Sequence, residues 1–232
     1  MRPRAGRKAA VKPIVCYVTG RDALGAEVST DKMLAKVRTA VAAGADWVQI
    51  RERDMTARAL LEFTKAAVAD AAGKTRVIVN DRLDVALASG AGGVHLRGDS
   101  VPASTVVRWL AETGAPAGFL VGVSCHSRED AVKAEAAGAS YVFFGPVFDT
   151  PAKRKFGAPQ GLAKLADVCR RVAIPVIAIG GIDESNAVEC LQAGAAGIAA
   201  IRMFQERAEA ELGAAIGRLH SGKYESPGGA RR

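Results

Sequence analysis

Residues 136–144 read AAGASYVFF, a small-Gly-Ala turn that closes an alanine-rich run and leads at once into an apolar, aromatic segment. Glycine at that place supplies the left-handed cap of a helix, and the run after it predicts a short buried strand. The pattern recurs in AAGADWVQI (42–50), ASGAGGVHL (88–96) and QAGAAGIAA (192–200). Gly44, Gly90, Gly138 and Gly194 lie 46, 48 and 56 residues apart. One βα unit needs about half such an interval, so each interval holds two. The missing strands are IVCYV (14–18), RVIVN (76–80), FLVGVS (119–124) and PVIAI (175–179). Helices are predicted at 32–43, 56–72, 82–89, 102–113, 127–137, 161–171, 184–193 and 206–218. Eight alternating βα units predict an α/β fold of one domain, a (β/α)8 TIM barrel spanning 14–220. The rival is a doubly wound open sheet. It would be expected to carry G-x-G-x-x-G after an early strand, and neither that motif nor a GxxxxGK[ST] loop occurs.

The 232 residues, 49% of them hydrophobic, suffice for such a core. The net charge of +8 is concentrated at the ends. Residues 1–13 hold Arg2, Arg4, Arg7, Lys8 and Lys12 and no acid, and the chain finishes SGKYESPGGARR. Residues 1–13 read as a basic disordered tail and 221–232 as a flexible one. The body is mildly basic, without an aromatic-interleaved basic stripe, so anionic small molecules are expected as partners and nucleic acid is not. Cys16, Cys125, Cys169 and Cys190 form no CxxC pair, and His95, His126 and His220 are scattered. A zinc or disulfide framework is not expected, and a reducing cytoplasm is. Apolar runs such as IPVIAIGGI fall far short of the ~20 residues of a membrane span. The oligomeric state is left open, a homo-oligomer included.

A barrel of this kind carries its chemistry at the C-terminal ends of its strands. Strand 2 ends VQIRERD, where alternation puts Gln49, Arg51 and Arg53 on one face and Val48 and Ile50 on the other. Cationic side chains on an inner face call for an anionic ligand. Glu52 and Asp54 could neutralise them but are expected to point away. Strand 3 ends Asn80-Asp81, which is either a helix cap or a site. Strand 4 ends His95-Leu96-Arg97-Gly98-Asp99, with His95 read as packing. Strand 5 puts Ser124 and His126 on one face. His126 is an acid/base candidate there, whereas a nucleophile pair with Cys125 is disfavoured because adjacent strand residues point apart. Strand 6 opens into a loop with Thr150, Lys153, Arg154 and Lys155, either an anion-binding loop or an ordinary solvated one. Gly180-Gly181 after strand 7, beside Ile201-Arg202 after strand 8, fits a backbone phosphate site or a plain turn.

Taken together, the segments resemble the thiamine phosphate synthase family and its relatives, the thiazole tautomerases, over about residues 14–220. VQIRERD (48–54) is similar to VQLRxKD, and VNDRLDVALASGAGGVHL (79–96) to VNDRVDVALAxGADGVHL. GVSCHS (122–127), GPVFDTPAKRK (145–155) and IAIGGI (177–182) are similar to GVSxHS, GPxxxTxTK and GIGGI. The resemblance implies coupling of 4-amino-2-methyl-5-(diphosphooxymethyl)pyrimidine to a thiazole phosphate carboxylate, giving thiamine phosphate and diphosphate. It implies Mg2+ at Asp81 and a second carboxylate, and diphosphate-substrate contacts from Gln49, Arg51, Arg53, Asn80, Ser124 and Lys153. It places Thr150, Gly181 and Ile201 around the thiazole phosphate, and Arg51, Lys153 and His126 as catalytic. Three positions depart from the pattern. Ser100 stands where the second magnesium carboxylate is expected, with Asp99 one residue early; Ala152 replaces a threonine and Arg202 a serine. Ser100-Val101-Pro102 leans toward the tautomerase branch, whose catalytic histidine matches His126. Three readings follow: a Mg2+-dependent synthase, a metal-independent tautomerase acting through His126, and a non-catalytic binder of thiamine precursors.

Overall fold

The computed structural model describes residues 12–21, 24–25, 28–150 and 158–222. Eight parallel strands close into a barrel in chain order: β1 (Ile14–Val18), β2 (Trp47–Ile50), β3 (Arg76–Asn80), β4 (Gly93–Leu96), β5 (Leu120–Cys125), β6 (Tyr141–Phe144), β7 (Val176–Ile179) and β8 (Gly197–Ala200). The seam is the parallel pairing of β1 with β8, Ile14 opposite Gly197 and Tyr17 opposite Ala200. Outside run α1 (Thr30–Ala42), α2 (Ala57–Ala71), α3 (Leu83–Ser89), α4 (Ala103–Thr113), α5 (Arg128–Ala136), α6 (Gly161–Arg171), α7 (Ala187–Gln192), α8 (Arg202–Gln205) and α9 (Glu209–Ser221).

The repeated small-Gly-Ala turns do what their sequence predicts. Gly44, Gly90, Gly138 and Gly194 all have positive φ, between 74° and 102°, and each hands a helix back to the next strand. Ser29, Thr56 and Ser127 begin α1, α2 and α5 by accepting hydrogen bonds from the amides of Lys32, Ala59 and Asp130. Strand alternation sorts the apolar residues into two cores. Val48, Ile50, Val77 and Val79 join Phe63, Leu165 and Phe204 beneath the helices. Cys16, Val18, Ile78, Tyr141, Phe143, Ile177 and Ala199 fill the barrel. Gly122 leaves the space that the Tyr141 ring occupies.

Several boundaries differ from the sequence reading, each for a local reason. β7 starts at Val176 because Pro175 has no amide to donate. α7 begins at Ala187, later than 184, because Asp183 and Asn186 spend their side-chain oxygens on a polar turn with the amides of Ser185 and Asp183. The short α8 was not foreseen, and the last helix accordingly starts at Glu209 and runs through Ser221. Lys12, expected in the basic tail, pairs with Asp46 at 2.7 Å. Residues 1–11 and 223–232 lie outside the described residues.

Candidate active site

The C-terminal rim of the barrel gathers polar groups from strands far apart in sequence. β2 ends at Ile50, so of the three residues expected on one face only Gln49 belongs to the strand. It is buried inside the barrel, and its Nε2 donates to Asn80 Oδ1 of β3 at 3.3 Å. Arg51 and Arg53 follow on the loop, where strand alternation no longer applies. The Arg51 amide donates to Thr19 Oγ1 at 2.9 Å, anchoring the loop to the end of β1. The exposed Arg53 lies close enough for its charge to help hold the Asp99 carboxyl below its ordinary range, after the dominant hydrogen bond from Arg97.

Glu52, expected to point away, is buried on this loop and feels the charge of Arg51 as well as that of Arg21. Burial pushes its carboxyl pKa up, opposed by a hydrogen bond from Thr19 and by the charge of Arg21, whose Nε lies 3.8 Å from Oε2.

His95 is the residue whose role the sequence understated. It is buried in the barrel, as a packing residue should be, with Phe143 4.3 Å away between ring centroids. Both ring nitrogens are also engaged, Nε2 with Ser124 Oγ at 2.8 Å and Nδ1 with the Tyr141 hydroxyl at 3.0 Å. Burial lowers its pKa to about 3, so the ring is neutral: one nitrogen donates and the other accepts. His95 thus sets the orientation of Ser124, a residue matched to the substrate pocket. No motif could have shown this, because the partners lie 29 and 46 residues away.

The two candidate metal ligands, Asp81 and the early-placed Asp99, are arranged around an arginine. Asp81 sits in the left-handed region, φ 62°, with its amide held by the His95 carbonyl at 2.9 Å. Its Oδ1 accepts the Ser100 hydroxyl and, at 3.3 Å, the Arg97 amide. Its Oδ2 lies 3.2 Å from Arg97 Nε. Asp99 faces the same guanidinium, Oδ1 at 2.8 Å from Nε and Oδ2 at 2.5 Å from Nη2. Magnesium requires near-octahedral oxygen ligands at about 2.0–2.1 Å. Here both carboxylates close on Arg97 instead of on a common space, and no group of three or more His, Cys, Asp or Glu suited to a metal exists among the described residues. Asp81 and Asp99 as arranged do not fit a two-carboxylate Mg2+ site.

The remaining candidates among the described residues sit around the same rim. His126 is exposed after β5, with Nδ1 2.5 Å from the Gly145 carbonyl at the end of β6. Gly180 and Gly181 have φ of 97° and 68° and lie under the β6 loop; an added Cβ on Gly181 would sit 2.6 Å from the Asp149 carbonyl oxygen. Close packing is therefore a reason for glycine here independent of any anion. Thr150 follows on that loop, and Ile201 covers Gly20, 3.2 Å from where its Cβ would be. Lys153, Ala152, Arg154 and Lys155 lie outside the described residues. A hollow of about 570 Å³ lies at the opposite end of the barrel. Two of its cations, Lys12 and Arg38, are paired with Asp46 and Asp70, so it gathers no comparable chemistry.

Known proteins resemble the chain along most of its length. The profile of the family described as thiamine monophosphate synthase matches residues 15–204. The thiamine-phosphate synthase of Methanocella arvoryzae is 46% identical over 166 residues, covering 71% of this chain and 76% of that protein. The thiamine-phosphate synthase of Anaeromyxobacter dehalogenans is 38% identical over 211 residues, covering 91% and 88%. Among solved structures, thiamine phosphate pyrophosphorylase from Pyrococcus furiosus superposes with a TM-score of 0.73 at 32% identity, over 89% of this chain and 96% of that one. A profile match over the barrel, relatives of this identity and the closed eight-stranded fold agree: the chain belongs to the thiamine monophosphate synthase family.

Proposed function

We propose that the protein is a thiamine phosphate synthase, a transferase that joins the pyrimidine methyl diphosphate to the thiazole phosphate carboxylate. The C–O bond to diphosphate breaks, the thiazole nitrogen captures the pyrimidine methylene cation, and the carboxylate leaves as carbon dioxide. The observation that carries this reading is the convergence of Gln49, Arg51, Asn80, Asp81 and Ser124 on the rim formed by β2 to β5. Gln49 and Asn80 offer paired amides that can hold the pyrimidine, and Ser124 is fixed by His95. Arg51, Arg53 and Lys153 meet the negative charge that grows on the departing diphosphate. The turn of Gly181, the loop at Thr150 and the segment at Ile201 frame the second phosphate. No step is assigned to Mg2+, which the resemblance implies and the Asp81–Asp99 arrangement does not fit.

The tautomerase reading through His126 and the non-catalytic reading are not favoured, since the quoted relatives carry synthase names. The test is incubation of the full chain with both substrates, with and without Mg2+, and chromatographic detection of thiamine phosphate. Product should form, and Arg51→Ala should lower turnover by about 100-fold, the scale of losing one charge-stabilising donor. Absence of product under both conditions would overturn the reading, and so would full turnover by the variant. Isomerisation of the thiazole abolished by His126→Ala would support the tautomerase instead.

A further inference from the structure

We propose that Arg97 is a built-in cation that replaces a resident divalent metal between Asp81 and Asp99. The inference rests on reading the rim as a diphosphate site. Arg97 stands at the end of β4, where its Nε bridges the two carboxylates, 3.2 Å from Asp81 Oδ2 and 2.8 Å from Asp99 Oδ1. Nη2 completes a two-point fork on Asp99 at 2.5 Å. The Arg97 amide donates to Asp81 Oδ1 and to Ser100 Oγ, and the Ser100 hydroxyl donates to that same Oδ1. Every carboxylate oxygen that a metal would need is therefore engaged by Arg97, Ser100 or both.

Charge leads to the same conclusion. Two carboxylates alone would attract a divalent ion. Here Arg97 sits between them and the Arg53 charge acts on Asp99, so the cluster is close to neutral and a bare Mg2+ gains little on entering it. Ser100 removes the carboxylate expected from the resemblance, and the hydroxyl in its place locks Asp81 toward the arginine. Arg97 and Ser100 work together, since a guanidinium that bridges two acids needs no third carboxylate.

The consequence is a change in what meets the leaving group. The carboxylates hold only the Nε and Nη2 edge of the guanidinium. Among the described residues its Nη1 end has no partner, and the side chain is about one-third exposed, at 34%. Planar guanidinium edges suit phosphate oxygens. Arg97 can thus keep its carboxylates and still present an N–H to the diphosphate, alongside Arg51 and Arg53.

The test measures metal binding to the free full-length chain, with no substrate and no turnover, so it is independent of the synthase reading. Mn2+ is titrated in and followed by the electron paramagnetic resonance of the hydrated ion, with calorimetry of Mg2+ beside it. The unaltered chain should show no saturable site in the millimolar range. Arg97→Gly combined with Ser100→Asp should create one, with affinity raised at least about tenfold by removal of the repelling charge and addition of a carboxylate. Arg97→Gln, which keeps bulk and hydrogen bonding, should gain part of that increase, and it decides the matter if the double variant does not fold. A submillimolar site in the unaltered chain that Asp81→Asn removes would overturn the proposal. Equal, weak binding in the unaltered chain and a folded variant would also overturn it. An unaltered chain that binds no Mn2+ yet makes no thiamine phosphate would leave Arg97 as proposed and remove the synthase reading alone.

Discussion

Enclosing an imidazole among Tyr141, Phe143 and Ser124 strips its charged form of hydration, and that penalty makes His95 a measurable residue. Its folded-state pKa of about 3 lies below the ordinary 6.5, so protons bind the unfolded chain more tightly. The stabilisation from a neutral His95 is complete above about 6.5, and it erodes as pH falls toward 3 by about 1.4 kcal/mol per pH unit. His95→Gln should flatten that part of the curve. Urea midpoints at pH 7 and 4.5 for both proteins give the comparison, and identical pH slopes would exclude this role. The sequence carried half of the information. Alternation along β4 turned the ring inward, but contacts with residues on β5 and β6 have no signature in the local pattern. Arg97 was quoted only as part of a strand end, because a bridge between two acids becomes visible when side chains are placed. Gln49 and Asn80 were legible, since two polar residues at the ends of neighbouring apolar strands have few other places to go.

At the scale of elements, the turn from β7 into α7 shows how packing and backbone preference can be separated. Gly73 and Gly181 both have positive φ, 74° and 68°. An added Cβ on Gly73 meets nothing within 4 Å, whereas on Gly181 it lies 2.6 Å from the Asp149 carbonyl oxygen and 2.8 Å from Phe148 Cβ. Gly73→Ala should therefore cost about 1 kcal/mol, the left-handed penalty alone. Gly181→Ala should cost about 3 kcal/mol, with the overpacked loop added. Urea unfolding at constant slope measures both, and equal losses would mean that the β6 loop yields freely. Turns of this kind were readable in advance, because a helix cap is written in three adjacent residues. The onset of α7 was not, since it depends on polar side chains choosing a turn over a helix, and neither was α8, whose Gln205 is held by partners 188 and 185 residues away, Tyr17 and Gly20.

For the molecule as a whole, the decisive join is the one between its first and last segments. The Asp46 carboxylate, at the base of β2, accepts from the Val15 amide at 2.9 Å, from Lys12 Nζ at 2.7 Å and from His220 Nε2 at 2.8 Å. One side chain thus ties the entry to β1, the foot of β2 and the last turn of α9. Asp46→Ala should destabilise the fold by about 2 kcal/mol, chiefly by leaving the part-buried Val15 amide without its partner. It should leave turnover unchanged, because the reacting rim is at the other end of the strands; a turnover loss without a stability loss would contradict that separation. The meeting of the entry to β1 and the last turn of α9 at a single carboxylate has a topological meaning. The barrel is a ring of βα units, and the break between β8 and β1 is only where synthesis happens to open it. A chain bridged from 222 back to 12 and cut at another of the basal turns would trace the same eight units in the same cyclic order.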